Sequence, residues 1–327
     1  MLADYPILYI ARLVLETRTP LSIGAGRGEG IFDTMLVRDA NGLPTIPGSS
    51  FAGVLRHLYQ HNYGEEFTDS LFGHANKDSE QPSQVHVSWG CIHNSNNQPI
   101  EGLEHNSARL KNDLLLADAL QLTPIVRDHV RLTHRGVAKD QGKFDRTSLR
   151  AGHRFSIELS LWSDNPKDER WDKLLNLLKR PDFRLGGATR RGLGALRVIK
   201  LRTRQFNLKE PKDFADYTEK FSNQLADTNE FTERTLLKTD EFPQAKIRIK
   251  PRDGYRFGQG AEPFGTEEAD LLPISEHKIK WKDNKGSVTN ERYIVIPASA
   301  VKGALSHRVA FHYNALTGQF ADKTPQP

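Results

Sequence analysis

Leu21-Ser22-Ile23-Gly24-Ala25-Gly26-Arg27-Gly28-Glu29-Gly30-Ile31-Phe32-Asp33 is a glycine loop that ends on one isolated aspartate. Val37-Arg38-Asp39 and Gly42 follow, and then Ile46-Pro47-Gly48-Ser49-Ser50-Phe51-Ala52-Gly53-Val54-Leu55-Arg56. The order of these pieces separates the loop from glycine loops that bind nucleotides. In those, the last glycine opens a helix whose N-terminus holds a phosphate. Here the loop runs into an extended apolar stretch, Phe32 to Arg38, and a hairpin turn signal at Asp39-Ala40-Asn41-Gly42. A helix begins only after Pro47-Gly48-Ser49-Ser50, with a serine expected as its N-cap. A dinucleotide or P-loop reading therefore fails.

Working outward, Ile7 to Leu15 reads as a strand, and Phe51, Val54, Leu55 and Leu58 lie on one face of a helix. Val85, Val87, Trp89 and Cys91 alternate with polar residues as in a half-buried strand, and so do Phe155, Ile157, Leu159 and Leu161. Trp171, Leu174, Leu175 and Leu178 mark a second helix stopped by Pro181, and Ala195 to Ile199 a last strand. Strand, helix, strand, strand, helix, strand is the order of a ferredoxin-like α+β fold, the plan that RRM modules share. The polar stretches from Gly73 to Ser83 and Asn94 to Leu122 are expected to be surface excursions.

Residues 203–243, with a helical pattern at Phe214, Tyr217, Phe221 and Leu225, read as a connector. The sequence then begins again. Ile247 and Ile249 suggest a strand, and Gly254, Gly258 and Gly260 a glycine loop. Ile296 to His307 repeats Ile46 to His57 with six of twelve residues identical. The expected organisation is a first domain over 1–202, a connector over 203–243 and a partial second domain over 244–327.

Three stretches carry chemistry. Asp33 stands beside a glycine loop, where backbone can approach RNA closely and a carboxylate can hold a divalent ion or orient a 2′-hydroxyl. A turn aspartate is the bland alternative, and one carboxylate needs further ligands to make a metal site. From Arg184 to Arg204 there are seven basic residues and no acid, around Gly186-Gly187-Ala188-Thr189-Arg190-Arg191-Gly192-Leu193-Gly194. Such a loop either contacts phosphate or merely solubilises. Between them, basic residues at 127, 131, 135, 139 and 143 have helical spacing, which Gly136 and Gly142 oppose. His57 and His61 are four apart, with Cys91 and His93 as further zinc ligands to consider. Leu58 occupies the position where a metalloprotease needs glutamate.

A net charge of +5 and a pI near 9.1 favour a polyanionic partner. A mean hydropathy of −0.59 suits a subunit of a nucleoprotein assembly. The single cysteine, Cys91, excludes an intrachain disulfide and suits a reducing compartment. No apolar run nears the roughly 20 residues that span a bilayer. Acidic Asp4 and no basic n-region precede the first strand, so a cytoplasmic protein is expected.

The combination resembles the RAMP superfamily of CRISPR proteins, specifically the repeated backbone subunit of type III effector complexes, in a tandem-fused, type III-D-like arrangement. Asp33, Arg38, Asp39, Gly42, Ile46, Pro47, Gly48, Ser49, Ser50, Gly53 and Arg56 fall on that family's pattern. Ala52 departs from it, since the family carries lysine there; Lys302 restores that lysine in the repeat. The resemblance implies a RAMP domain with a thumb insertion at about residues 124–150, followed by the start of a second one. It implies that Asp33 is the cleaving residue and binds Mg2+ or Mn2+. CRISPR RNA contacts are implied at Gly24, Gly26, Ser49, Ser50 and Arg56, at Arg135, Lys139 and Lys143 of the thumb, at Gly187, Arg190, Arg191, Gly192 and Gly194, and at Lys302. Asp270-Leu271-Leu272-Pro273-Ile274 matches Asp33 to Val37 in character, making Asp270 a second catalytic candidate beside Glu267 and Glu268. The implied partners are CRISPR RNA, complementary target RNA and other effector subunits, with no membrane. A non-catalytic guide-binding scaffold and a metal-independent CRISPR RNA-processing endonuclease are the alternatives within the superfamily.

Overall fold

The computed structural model describes residues 4–26, 35–75, 80–121, 125–133, 137–237, 245–255, 257–259, 262–264, 267–269 and 272–318. A near-continuous apolar run, buried on both faces, puts the first strand, β1 (Ile7–Thr17), at the centre of a sheet. Its odd residues Ile7, Tyr9, Ala11, Leu13 and Leu15 enter the main core, and Leu8 and Ile10 a smaller core on the opposite face. Five further strands complete that sheet: β2 (Val85–Val87), β3 (Cys91–Ile92), β6 (Arg154–Ser163), β7 (Leu196–Asn207) and β8 (Thr232–Glu233). The order is β8-β7-β1-β6-β2, with β3 also on β6, and every pairing is antiparallel. Register is set by pairs such as Leu13 with Ile157, and a bulge at Val14/Leu15 shifts β1 against β7.

Helices α1 (Gly48–Tyr63) and α5 (Glu169–Asn176) cover the main core. Phe51, Leu55, Leu58 and Tyr59 of α1 and Trp171, Leu174 and Leu175 of α5 are buried there. Phe51 meets Phe183 edge-on at 5.4 Å and Tyr9 meets Trp171 at 5.6 Å. Helix α1 starts at Gly48, three residues earlier than the serines suggested. Pro47 occupies the cap position and no side chain caps the helix. Gly48 permits this, because a Cβ there would lie 2.2 Å from the Val87 carbonyl oxygen. A short α2 (Glu65–Phe72) follows. The Trp89 position leaves the strand pattern: β2 and β3 are separate, Gly90 is wedged between Ile46 and Ile157, and Trp89 is exposed.

Two expectations are corrected by packing. The stretch from Asn94 to Leu122 forms α3 (Ser107–Asn112) and α4 (Leu114–Leu120), whose Leu110, Leu116 and Ala119 join the main core. Strand β7 continues through residue 202 to Asn207, and the expected connector folds back on the sheet. Helix α6 (Pro211–Ala215) leads into a π-turn, and Tyr217, Phe221 and Phe231 pack around Phe206. Buried Arg12 fastens this layer. It donates to Glu158 (2.7 Å) and to the carbonyls of Gln224 and Ser222, between the rings of Phe221 and Phe231.

A long antiparallel hairpin, β4 (Ile125–Leu132) and β5 (Ala138–Ser148), forms a two-stranded sheet of its own, so the described residues within 127–143 form no helix. Beyond residue 244, Ile247 and Ile249 are exposed and form no strand. The hairpin signal at Asp283 is realised: β9 (Ile279–Lys282) and β10 (Lys285–Val288) flank Asp283 and Asn284, both with positive φ. Helix α7 (Ala298–Leu316) begins after Pro297 as α1 does after Pro47. Val301 N donates to the Pro297 carbonyl at 3.2 Å, and Phe51 N to the Pro47 carbonyl at 3.2 Å. No helix among the described residues is long and apolar enough to cross a membrane.

Candidate nucleic-acid interface

The glycine loop grows from a ribbon in which Gly24 bridges Leu36 and Ala25 N donates to the Met35 carbonyl at 2.9 Å. Gly24 and Gly26 are exposed, and Gly26 has φ +105°. Asp33, Asp270 and Arg135 lie outside the described residues. Ser49 is exposed and Ser50 half-buried on the first turn of α1, which carries no acidic residue.

Several pattern residues turn out to hold the fold. The Arg38 guanidinium donates to the carbonyls of Gly42 (2.6 Å), Ala119 (2.9 Å) and Gln121. Asp39 Oδ1 accepts from the amides of Asn41 and Leu43, both at 2.9 Å, which locks the turn. Arg56 faces α2, where it binds Asp69 (2.6 Å) and the Gly73 carbonyl (2.7 Å), so its place is explained without RNA.

The glycine-arginine loop is also tightly packed. Gly186 (φ +81°), Gly192 (φ +91°) and Gly194 (φ +72°) use backbone conformations that favour glycine, and Ala188 adopts φ +56°. A Cβ at Gly194 would sit 1.9 Å from the Leu185 carbonyl oxygen, and one at Gly192 would sit 2.6 Å from Ala298 Cβ. These two glycines therefore serve close backbone packing, the second against the start of α7. Arg190 and Arg191 remain exposed.

The hairpin, this loop and the first turns of α7 enclose a cleft of about 1080 Å³. Arg131, Arg191 and Lys302 bring positive charge into it, and Phe144 stacks on His129 at 5.0 Å with the Arg191 guanidinium 6.0 Å above its ring. Flat rings and cations together suit bases and phosphates of a single-stranded nucleic acid. Lys139 and Lys143 are exposed on β5 but do not line the cleft. The residue that sequence reading missed is Arg146 at the hairpin base. Its Nη1 lies 2.6 Å from where a Gly187 Cβ would be. No linear motif joins residue 146 to residue 187, so only folding reveals it.

The zinc reading gains no support. His57 and His61 are exposed, while His93 is buried and bonded to Ser156 (2.8 Å) and Asn97 (3.0 Å). Burial holds the His93 ring down to about 4 and pushes the Cys91 thiol up to about 11, helped by Glu101. Among the described residues no group of three or more His, Cys, Asp or Glu could hold a metal ion.

No curated protein matches the chain. Among solved structures, it is similar to a chain of the cryo-EM structure of the Type III-B Cmr-beta bound to cognate target RNA. The identity is 17% and the TM-score 0.40, over 60% of this chain and 60% of that one. The profile of the RAMP superfamily matches residues 14–197. That span covers more than half of the sequence and takes in the glycine-loop ribbon, α1, the hairpin and the glycine-arginine loop, and by it the chain belongs to the RAMP superfamily.

Proposed function

We propose that this protein is an RNA-guided backbone subunit of a type III CRISPR effector complex, which binds CRISPR RNA, holds complementary target RNA opposite it and cuts that target at Asp33. One observation carries the reading: the β4–β5 hairpin, the glycine-arginine loop and the start of the second repeat's helix converge on one cationic, ring-lined cleft. The sheet order fourth-first-third-second among β7, β1, β6 and β2 supports a ferredoxin-like core, and the hairpin supports the thumb. An RRM-like use of the sheet is disfavoured, because Phe206, Tyr217, Phe221 and Phe231 fill the face opposite the helices. RNA is then held by phosphate and ring contacts in the cleft, and sequence is chosen by base pairing.

For cleavage, Asp33 is the residue that would hold Mg2+ or Mn2+, its remaining ligands coming from RNA oxygens and water. A divalent ion there supplies Lewis acidity toward a phosphoryl oxygen. Asp270 is proposed as a second, weaker site in the partial repeat. The other effector subunits, the cytoplasmic setting and the two-domain division belong to the same proposal, the first unit now reaching to about residue 237 on the packing described above.

The test is the assembled complex carrying Asp33→Asn. Guide RNA should be retained while one discrete cut in the target disappears, and Asp270→Asn should remove a different cut. An unaltered product ladder in both would reject the cleavage assignment and leave a scaffold role. Cleavage of precursor guide RNA that persists in EDTA would instead favour a processing enzyme.

A further inference from the structure

We propose that Arg146 and Arg191 form a two-arginine clamp for one phosphodiester group of a single-stranded RNA, seated beside Gly187. Across the hairpin Arg146 is paired with Arg127. Two like charges opposite each other cost stability unless each finds a partner. Arg127 finds one, since it binds Glu276 of the second repeat. Among the described residues Arg146 has no acidic partner. Its Nε is buried and makes no hydrogen bond, and the Arg191 guanidinium is a neighbouring charge, 6.0 Å over the ring of Phe144 two residues away on the same strand. Burial and Arg191 both pull the Arg146 pKa down, the sign of a cation held where it lacks a counter-ion.

The surroundings are shaped to bring an anion close. Arg146 Nη1 lies 2.6 Å from where a Gly187 Cβ would be, so a glycine at this position lets the guanidinium reach in against the loop backbone. Gly187 N is committed to the Ser22 carbonyl at 2.7 Å, which fixes the loop against the ribbon below the glycine loop. Arg191 lies over Phe144 and lines the cleft, so the second guanidinium opens to solvent and to the RNA path. A phosphate bridging the two would satisfy both forks and cancel their repulsion.

This inference rests on the RNA-binding reading of the cleft, and two probes separate them. The first is a single-stranded RNA of mixed sequence, titrated at several salt concentrations. Arg146→Ala should weaken binding about tenfold and reduce the salt slope by about 0.7, one single-strand phosphate contact. Arg146→Lys should recover the slope but only part of the affinity, since it keeps the charge and loses the fork. RNA binding by the wild type that Arg146→Ala leaves unchanged overturns the clamp and spares the RNA reading. The second probe is inorganic phosphate in thermal melts of the full chain. The wild-type Tm should rise with phosphate and that of Arg146→Ala should rise much less. In buffer without phosphate the variant should melt no lower than wild type, because it removes an unpaired like charge. A variant that melts lower yet responds to phosphate as the wild type does makes Arg146 structural and overturns the proposal. Absence of RNA binding by the wild type rejects the RNA reading, while the phosphate melt still decides whether the anion clamp exists.

Discussion

His93 and His153 are buried neutral, and the pH dependence of stability follows from them. Burial is the first cause in both, holding His93 at about 4 and His153 at about 3, with Arg154 and Arg150 adding to it. Folded pKa values below the unfolded value mean that the unfolded chain binds more protons as pH falls. Their contribution is therefore complete above about pH 6.5 and is lost progressively as pH drops toward about 4. Between pH 7 and 5.5 each should cost about 1 kcal/mol, which urea unfolding at both pH values measures. Among the described residues neither ring nitrogen of His153 has a partner, so His153→Leu should keep the fold and flatten the pH slope by about one proton. A slope equal to wild type would mean that His153 titrates normally. At this scale the sequence was legible for the core apolar residues but not for the arginines. Arg56 reads as an RNA contact by resemblance, yet its guanidinium binds Asp69 and the Gly73 carbonyl, and that of Arg38 binds three carbonyls, because a guanidinium's role depends on what lies opposite it.

At the scale of elements, the repeat was readable because helix starts obey local rules. Pro47 and Pro297 each set the backbone for the next turn, and both helices begin at the residue that follows. Packing then divides the copies. Leu55 in α1 is fully buried, whereas its counterpart Leu305 in α7 is 55% exposed. Leu55→Ala should cost about 3 kcal/mol and Leu305→Ala less than about 0.5 kcal/mol in denaturant unfolding of this chain. Equal losses would show that α7 is covered in solution. The hairpin at Asp283 was legible for a related reason: two consecutive residues tolerant of positive φ sit between alternating strands. The segment 94–122 was misjudged because short helices α3 and α4 bury only a few leucines among many polar residues, below what periodicity detects.

At the scale of the molecule, the β9–β10 hairpin docks against the start of β6 and the turn after β3. Trp281 Nε1 donates to the Gly152 carbonyl at 2.7 Å, its ring lies 4.1 Å under the Arg154 guanidinium, and Gly286 N donates to Ser95 at 2.8 Å. Gly152, at φ +102°, leaves no space for a Cβ against Ile279. Trp281→Ala should loosen residues 245–318 and make them cleavable by low protease while the Tm of the first unit shifts little. Proteolysis unchanged from wild type would mean that the other docking contacts suffice. The sequence by itself determined the strand and helix order of the first unit, the glycine-loop ribbon, the repeat and the family, since periodicity, turn residues and spaced motifs are local in the chain. Only the tertiary structure decided that the connector covers the sheet through Arg12, that Gly192 and Gly194 serve packing, and that Arg146 reaches the glycine-arginine loop at Gly187. Each of these depends on groups brought together from distant parts of the chain, and a side chain's charge or size does not state which partner will face it.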